Sequence, residues 1–269
     1  MTKARINVDE LSFVSLFLQT RCNGLLLAKA ATGFVVSRGD KSYLITNWHV
    51  LAGRHPRTNQ PLSKTAALPD ELLIAYHRTV IENGQTLTGW CKVSEPLQDF
   101  EGKHRWLEHP TGKNVDVVAF PVAANDQVTL HPLSLALAKT NLFAGVGEPV
   151  SIIGFPYGLS GGGLFPIWKT GHIASEPEVD YGDAPVFLVD ATTRSGMSGA
   201  PVIRRFSGFG YRNRSGFEMV GSSTISAGRS ELTRFMGVYG GRTGRRSAQI
   251  GRVWKPIVID QILDAIAPK

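Results

Sequence analysis

The sequence predicts an all-β protein, its sheets closed into barrels or sandwiches, with one helix at the C-terminal end. Three observations carry that expectation. Short apolar runs recur along 269 residues, 29 glycines and 15 prolines punctuate them, and amphipathic helical spacing is almost absent before the end. A chain of this length can bury a full core, as one large domain or as two lobes sharing a function. Hydrophobic content of 42% against 19% charged residues excludes a disordered chain.

Taken in order, the first 25 residues leave helix and strand open, because Leu11, Val14 and Leu18 fit one period and residues 13–18 fit the other. From Leu25 the pattern is β. Residues 33–36 and 43–46 flank a turn at 37–41 and read as a hairpin whose second strand runs on through residues 47–51. Residues 53–69 read as a loop, followed by short strands at 72–76 and 90–93. Residues 115–122 form a buried-strand pattern interrupted by Asp116, a carboxylate that is costly to bury without partners. After a connection over 123–141, strands resume at 150–155, 167–168, 172–174, 186–189 and 235–239. Pro256 then opens a segment with apolar spacing of three and four, a helix to about residue 266.

Charge and cysteine usage narrow the function classes. The net charge of +7 is concentrated between Arg204 and Arg252, where ten arginines meet two acids, Glu218 and Glu231. No nucleic-acid module accompanies it, so it reads as a solvated rim or a surface that steers acidic substrates, and nucleic acid is not an expected partner. Cys22 and Cys91 are too few for a disulfide framework and read as free or buried thiols. Asp9 and Glu10 stand directly before the first apolar run and Ser12 and Ser15 interrupt it, which argues against a signal peptide and a membrane span and for a cytoplasmic protein. His55, His77, His104, His109, His131 and His172 show no paired ligand spacing, so no metal or other cofactor is expected.

The chemistry gathers around residues 192–202, a glycine-rich turn between two apolar runs, with Ser198 between Gly196 and Gly199. Glycines there project a serine hydroxyl and free backbone amides to receive an oxyanion. A serine needs a base, and the base needs an orienting carboxylate. His49, Asp116 and Ser198 supply both in the chain order His, Asp, Ser, whereas α/β-hydrolases run Ser, Asp, His and subtilisins run Asp, His, Ser. Gly158, Ser160 and Gly162 also fit an esterase elbow, but the glycines after Ser160 disfavour the helix that motif requires.

Thr32-Gly33-Phe34 leading to Ile45-Thr46-Asn47-Trp48-His49-Val50, then Val115-Asp116-Val117-Val118, then Ser195-Gly196-Met197-Ser198-Gly199-Ala200-Pro201 resemble the active-site segments of the trypsin-like, chymotrypsin-fold serine proteases, the bacterial trypsin-like peptidases most closely. The resemblance implies two six-stranded antiparallel β-barrels. Residues 1–24 would be an N-terminal extension, residues 25–130 a first barrel carrying His49 and Asp116, and residues 131–269 a second carrying Ser198 and the helix at about 256–266. It implies a serine endopeptidase working through an acyl-enzyme, with the Gly196 and Ser198 amides as oxyanion hole. Met197 stands where animal trypsins have the Asp that pairs with a newly cut N-terminus, which argues against activation by trimming. Thr192 occupies the place of the trypsin specificity Asp. Thr193 and residues 237–241 are similar to the glutamate-specific bacterial endopeptidases, with Tyr239 in place of their His. Thr192, Thr193, Tyr239 and Gly240 would then line the pocket for the residue before the cut, with an acidic or small polar side chain preferred. The partners implied are a protein or peptide substrate and an activating protein, with residues 1–24 or 204–234 as gates. The alternative is a latent or inactive protease-fold binding protein.

Overall fold

Residues 15–22, which the hydrophobic period leaves open, lie inside the first sheet. The computed structural model describes residues 7–82, 85–208, 210–213, 216–219, 230–243 and 249–265. Asp9 accepts a bond from the Leu11 amide at 3.0 Å and starts a 3-10 turn over Glu10–Phe13. β1 (Ser15–Cys22) then turns into β2 (Leu25–Arg38) through Asn23 and Gly24, at φ +50° and +75°. Two successive left-handed residues match the twist of a hairpin, and Asn-Gly adopts them at low cost. β3 (Lys41–Thr46), β4 (Glu71–Glu82), β5 (Gln85–Pro96), β6 (Leu107–Glu108) and β7 (Val118–Val122) complete an antiparallel sheet in the order β5-β4-β1-β2-β3-β7-β6. The stretch assigned to an extension thus supplies the strand between β4 and β2.

The second lobe consists of β8 (Pro149–Gly154), β9 (Ile167–Ile173), β10 (Val186–Asp190), β11 (Pro201–Gly208), a small hairpin of β12 (Gly210–Asn213) and β13 (Gly216–Met219), β14 (Ser230–Arg242) and β15 (Ile250–Trp254). Six of these strands close into a barrel, β10-β15-β14-β11-β8-β9, with β9 returning to β10 at Ile173 and Val189. The expectation of two six-stranded barrels is corrected here, because the first lobe is a seven-stranded sheet that does not close. Its last strand, β6, has two residues. The chain ahead of β6 is taken up by a turn in which Asp99 Oδ1 accepts from the Glu101 and Lys103 amides, both at 2.9 Å. Too little extended chain is left to bridge β6 to β5.

The lobes are joined by packing. Leu18, Leu44 and Phe120 centre the core of the first sheet, and Ile152, Phe187 and Val253 that of the barrel. Between them Phe34 of β2 meets Phe235 of β14 edge to face at 5.6 Å. The C-terminal helix, α2 (Ile257–Asp264), buries Val258, Ile259, Ile262 and Leu263 in this joining cluster and rests on β6 and β7 of the first lobe. Arg38 anchors it through Asp260 at 2.5 Å and Asp264 at 3.2 Å. Among the described residues no helix is long and apolar enough to cross a membrane.

β4 carries an imidazole into the interior. His77 is 1% exposed, and neither ring nitrogen has a hydrogen-bond partner among the described residues. Phe13, Trp90 and His131 surround it at centroid distances of 5.2, 5.9 and 5.2 Å. Burial, and then the neighbouring His131, push its pKa down to about 4. An unfolded chain takes up this proton near pH 6.5, so the stability His77 contributes is complete above that pH and is lost as the pH falls towards 4. The loss is roughly 3 kcal/mol. Urea titrations at pH 7 and pH 4 should show His77→Phe losing that much less than the unsubstituted protein. Equal losses would assign the acid sensitivity to another group.

Candidate active site

β3 ends at Thr46, and the chain then makes one helical turn, α1 (Trp48–Ala52), where the sequence pattern had continued the strand. Gly53, at φ +62°, ends the turn and donates its amide to the His49 carbonyl at 3.1 Å. Asn47 does not cap this turn with its side chain. Its Nδ2 instead donates to the Asp116 carbonyl at 2.7 Å, which fixes α1 against the segment leading into β7. Asp116 itself is 2% exposed. Its Oδ1 accepts from the His49 amide at 2.9 Å and its Oδ2 pairs with His49 Nδ1 at 2.7 Å. These bonds explain how a carboxylate sits in an apolar run. A carboxylate only accepts, so Nδ1 carries the ring proton and Nε2 is left as a base.

Ser198 lies in the turn between β10 and β11, and the turn is held from both lobes. Thr32 of β2 donates its amide to the Ser198 carbonyl at 2.9 Å and its hydroxyl to the Gly196 carbonyl at 2.8 Å. The Phe155 amide donates to the same hydroxyl at 3.2 Å, and the Tyr157 amide to the Ser195 carbonyl at 2.6 Å. Gly196 is at φ +99°, where a Cβ would stand 2.2 Å from the Phe155 carbonyl oxygen, so only glycine fits. With these carbonyls fixed, neither the Gly196 nor the Ser198 amide has an acceptor among the described residues. Met197, between them, is fully buried in the barrel core. Ser198 Oγ has no hydrogen-bond partner among the described residues, while His49 and Ser198 line one cavity of about 430 Å³.

A second cavity, of about 340 Å³, also borders Ser198 and is lined by Thr193, Arg194, Ser195, Tyr239, Gly241 and Arg242. Thr193 and Tyr239 are each 1% exposed and their hydroxyls hydrogen-bond to one another. Gly251 makes room for the tyrosine, since a Cβ there would stand 2.5 Å from its ring. Burial is the main cause that raises the Tyr239 phenol above its ordinary pKa, so it remains a hydrogen-bonding hydroxyl. Thr192 and Gly240 are not part of this lining. Thr192 is exposed and donates to Gln249 Oε1 at 2.5 Å, and Gly240 faces the Trp254 indole. Gly241, from the 237–241 segment, and Arg194 do line it, and so does Arg242, which the sequence pattern left in a solvated loop.

Ser160 is held away from any such role. Its hydroxyl donates to the Gly163 carbonyl at 2.8 Å, and no helix follows it. Cys22 and Cys91 are free thiols. No group of three His, Cys, Asp or Glu side chains suited to a metal ion occurs among the described residues. Of the two segments expected to act as gates, residues 1–6, 209, 214–215 and 220–229 lie outside the described residues.

Comparison with known proteins gives a match over residues 31–208 to the family described as the trypsin-like peptidase domain. No curated protein matches the chain. Among solved structures, an inactive form of the Rv3671c protease, a protein of M. tuberculosis, is 19% identical, with 96% of this chain and 90% of that chain covered and a TM-score of 0.46. Human heparin binding protein is 12% identical, with 100% and 98% covered and a TM-score of 0.49. A thermostable serine protease, AL20, from an extremophilic microorganism is 10% identical, with 97% and 100% covered and a TM-score of 0.49.

Proposed function

The chain belongs to the trypsin-like peptidase domain family, and from that premise we propose that it is a serine endopeptidase. The observation that carries the reading is the pairing of buried Asp116 with both the amide and Nδ1 of His49, on the wall of the cavity that holds Ser198. In this reading Ser198 Oγ attacks the scissile carbonyl carbon while His49 Nε2 takes its proton. The oxyanion that forms accepts from the Gly196 and Ser198 amides. His49 then gives the proton to the departing amine, and water, deprotonated by His49, hydrolyses the Ser198 ester. The cavity bearing Arg194 and Arg242 supports an acidic side chain on the residue before the cut, with the Thr193 and Tyr239 hydroxyls as further partners. Two free thiols agree with a reducing, cytoplasmic setting.

One observation favours a second reading, a latent protease-fold protein that awaits an activating partner: Ser198 Oγ makes no bond to His49 Nε2. Such bonds are often long without substrate and tighten in the reacting complex. Treatment with a fluorophosphonate separates the two. The endopeptidase reading expects an adduct that peptide mapping places on Ser198. No adduct, or one on Ser160, overturns it.

A further inference from the structure

Ser198 lines two cavities of different chemistry, only one of which His49 also lines, and the proton path assigns each to one flank of the scissile bond. His49 must hand its proton to the leaving amine, so the departing chain lies on the His49 side and the acyl residue on the other. The cavity on the His49 side is walled by Leu27, Ala30, Val50, Leu62, Pro69 and Tyr157. Among the described residues no Asp, Glu, Lys or Arg lines it. Leu62 and Tyr157 are 53% and 65% exposed at its mouth, apolar surface that a bound side chain would remove from water. At about 430 Å³ it is of a size to enclose a ligand, and unlike the cavity lined by Arg194 and Arg242 it has no cation to hold a carboxylate.

We propose that this cavity selects a large apolar side chain, such as Leu or Phe, on the residue directly after the cut. The proposal rests on the endopeptidase reading and extends it to the leaving side of the substrate. Burying such a side chain should favour it roughly tenfold or more over glycine.

Interception of the acyl-enzyme isolates this preference. An acyl ester with no amino acid on the leaving side forms the Ser198 ester, which either water or an added amino-acid amide then resolves. With the amide, its nitrogen attacks, the Ser198 ester bond breaks, and His49 returns the proton to Ser198. The same acyl group is thus shared between acid and new peptide, and the ratio reads the leaving-side cavity alone. Leucinamide and phenylalaninamide should intercept at least tenfold better than glycinamide or the α-amide of aspartate. In Leu62→Glu the advantage of leucinamide over glycinamide should shrink towards one, and lysinamide should gain. Equal interception by all amides, with the ester still turned over, overturns the apolar selection and leaves the endopeptidase reading standing. Absence of any ester turnover overturns that reading, and this proposal with it.

Discussion

Asp116→Asn should lower kcat/KM about ten-thousandfold, the scale seen when the carboxylate of a Ser-His-Asp set becomes an amide. The carboxylate accepts two bonds, from the His49 amide at 2.9 Å and from Nδ1 at 2.7 Å. An amide has one oxygen to offer. If that oxygen stays on the backbone bond, the new NH₂ faces Nδ1, which must then accept, and the ring proton moves to Nε2. In that tautomer Nε2 cannot take the Ser198 proton. Fluorophosphonate labelling needs the same proton removed, so its second-order rate constant should fall in parallel. A loss below tenfold in both would show that His49 does not depend on Asp116.

Met197→Asp should destabilise the fold by about 4 kcal/mol or more, because a side chain packed in the core is removed and a carboxyl without partners is buried. Met197 has no exposed surface and lies with Phe187, Val189 and Ala200 in the barrel core. The nucleophile turn is therefore held by apolar packing at the residue where animal trypsins use an ion pair with a cut N-terminus. Met197→Leu should cost less than about 1.5 kcal/mol, since volume and polarity are nearly kept. Urea midpoints of the two variants separate the effects. An Asp variant as stable as the unsubstituted protein would mean that a cation reaches this pocket, and an ion-pair switch would then exist after all.

Much of the strand pattern was legible because it is local. Residues 33–36, 43–46, 150–155 and 186–189 fall in or overlap β2, β3, β8 and β10, where apolar runs end at turn residues. β1 was ambiguous by period alone, yet Asn23-Gly24 marks a hairpin and would have decided for a strand. Closure of the first lobe was not legible, since it depends on whether β5 and β6 meet, and two residues at Leu107–Glu108 leave no periodic trace. In the site, the chain order of His49, Asp116 and Ser198 pointed to residues that the fold brings together. The cavity lining was harder to read because neighbours along extended chain point to opposite sides. Ala191 and Thr193 are buried while Thr192 between them is exposed, and Tyr239 turns inward where Gly240 meets Trp254. Tyr157, whose amide holds the Ser195 carbonyl, carries no sequence signal at all.

Thr32 belongs to the first sheet, yet its amide and hydroxyl hold the Ser198 and Gly196 carbonyls of the other lobe. Docking of the lobes therefore fixes the carbonyls on either side of Met197 and with them the serine turn. A nascent chain whose first sheet has folded alone contains His49 and Asp116 but no nucleophile, and a barrel folded alone presents a serine turn with its anchor missing. In the endopeptidase reading, activity therefore requires both lobes to be in place.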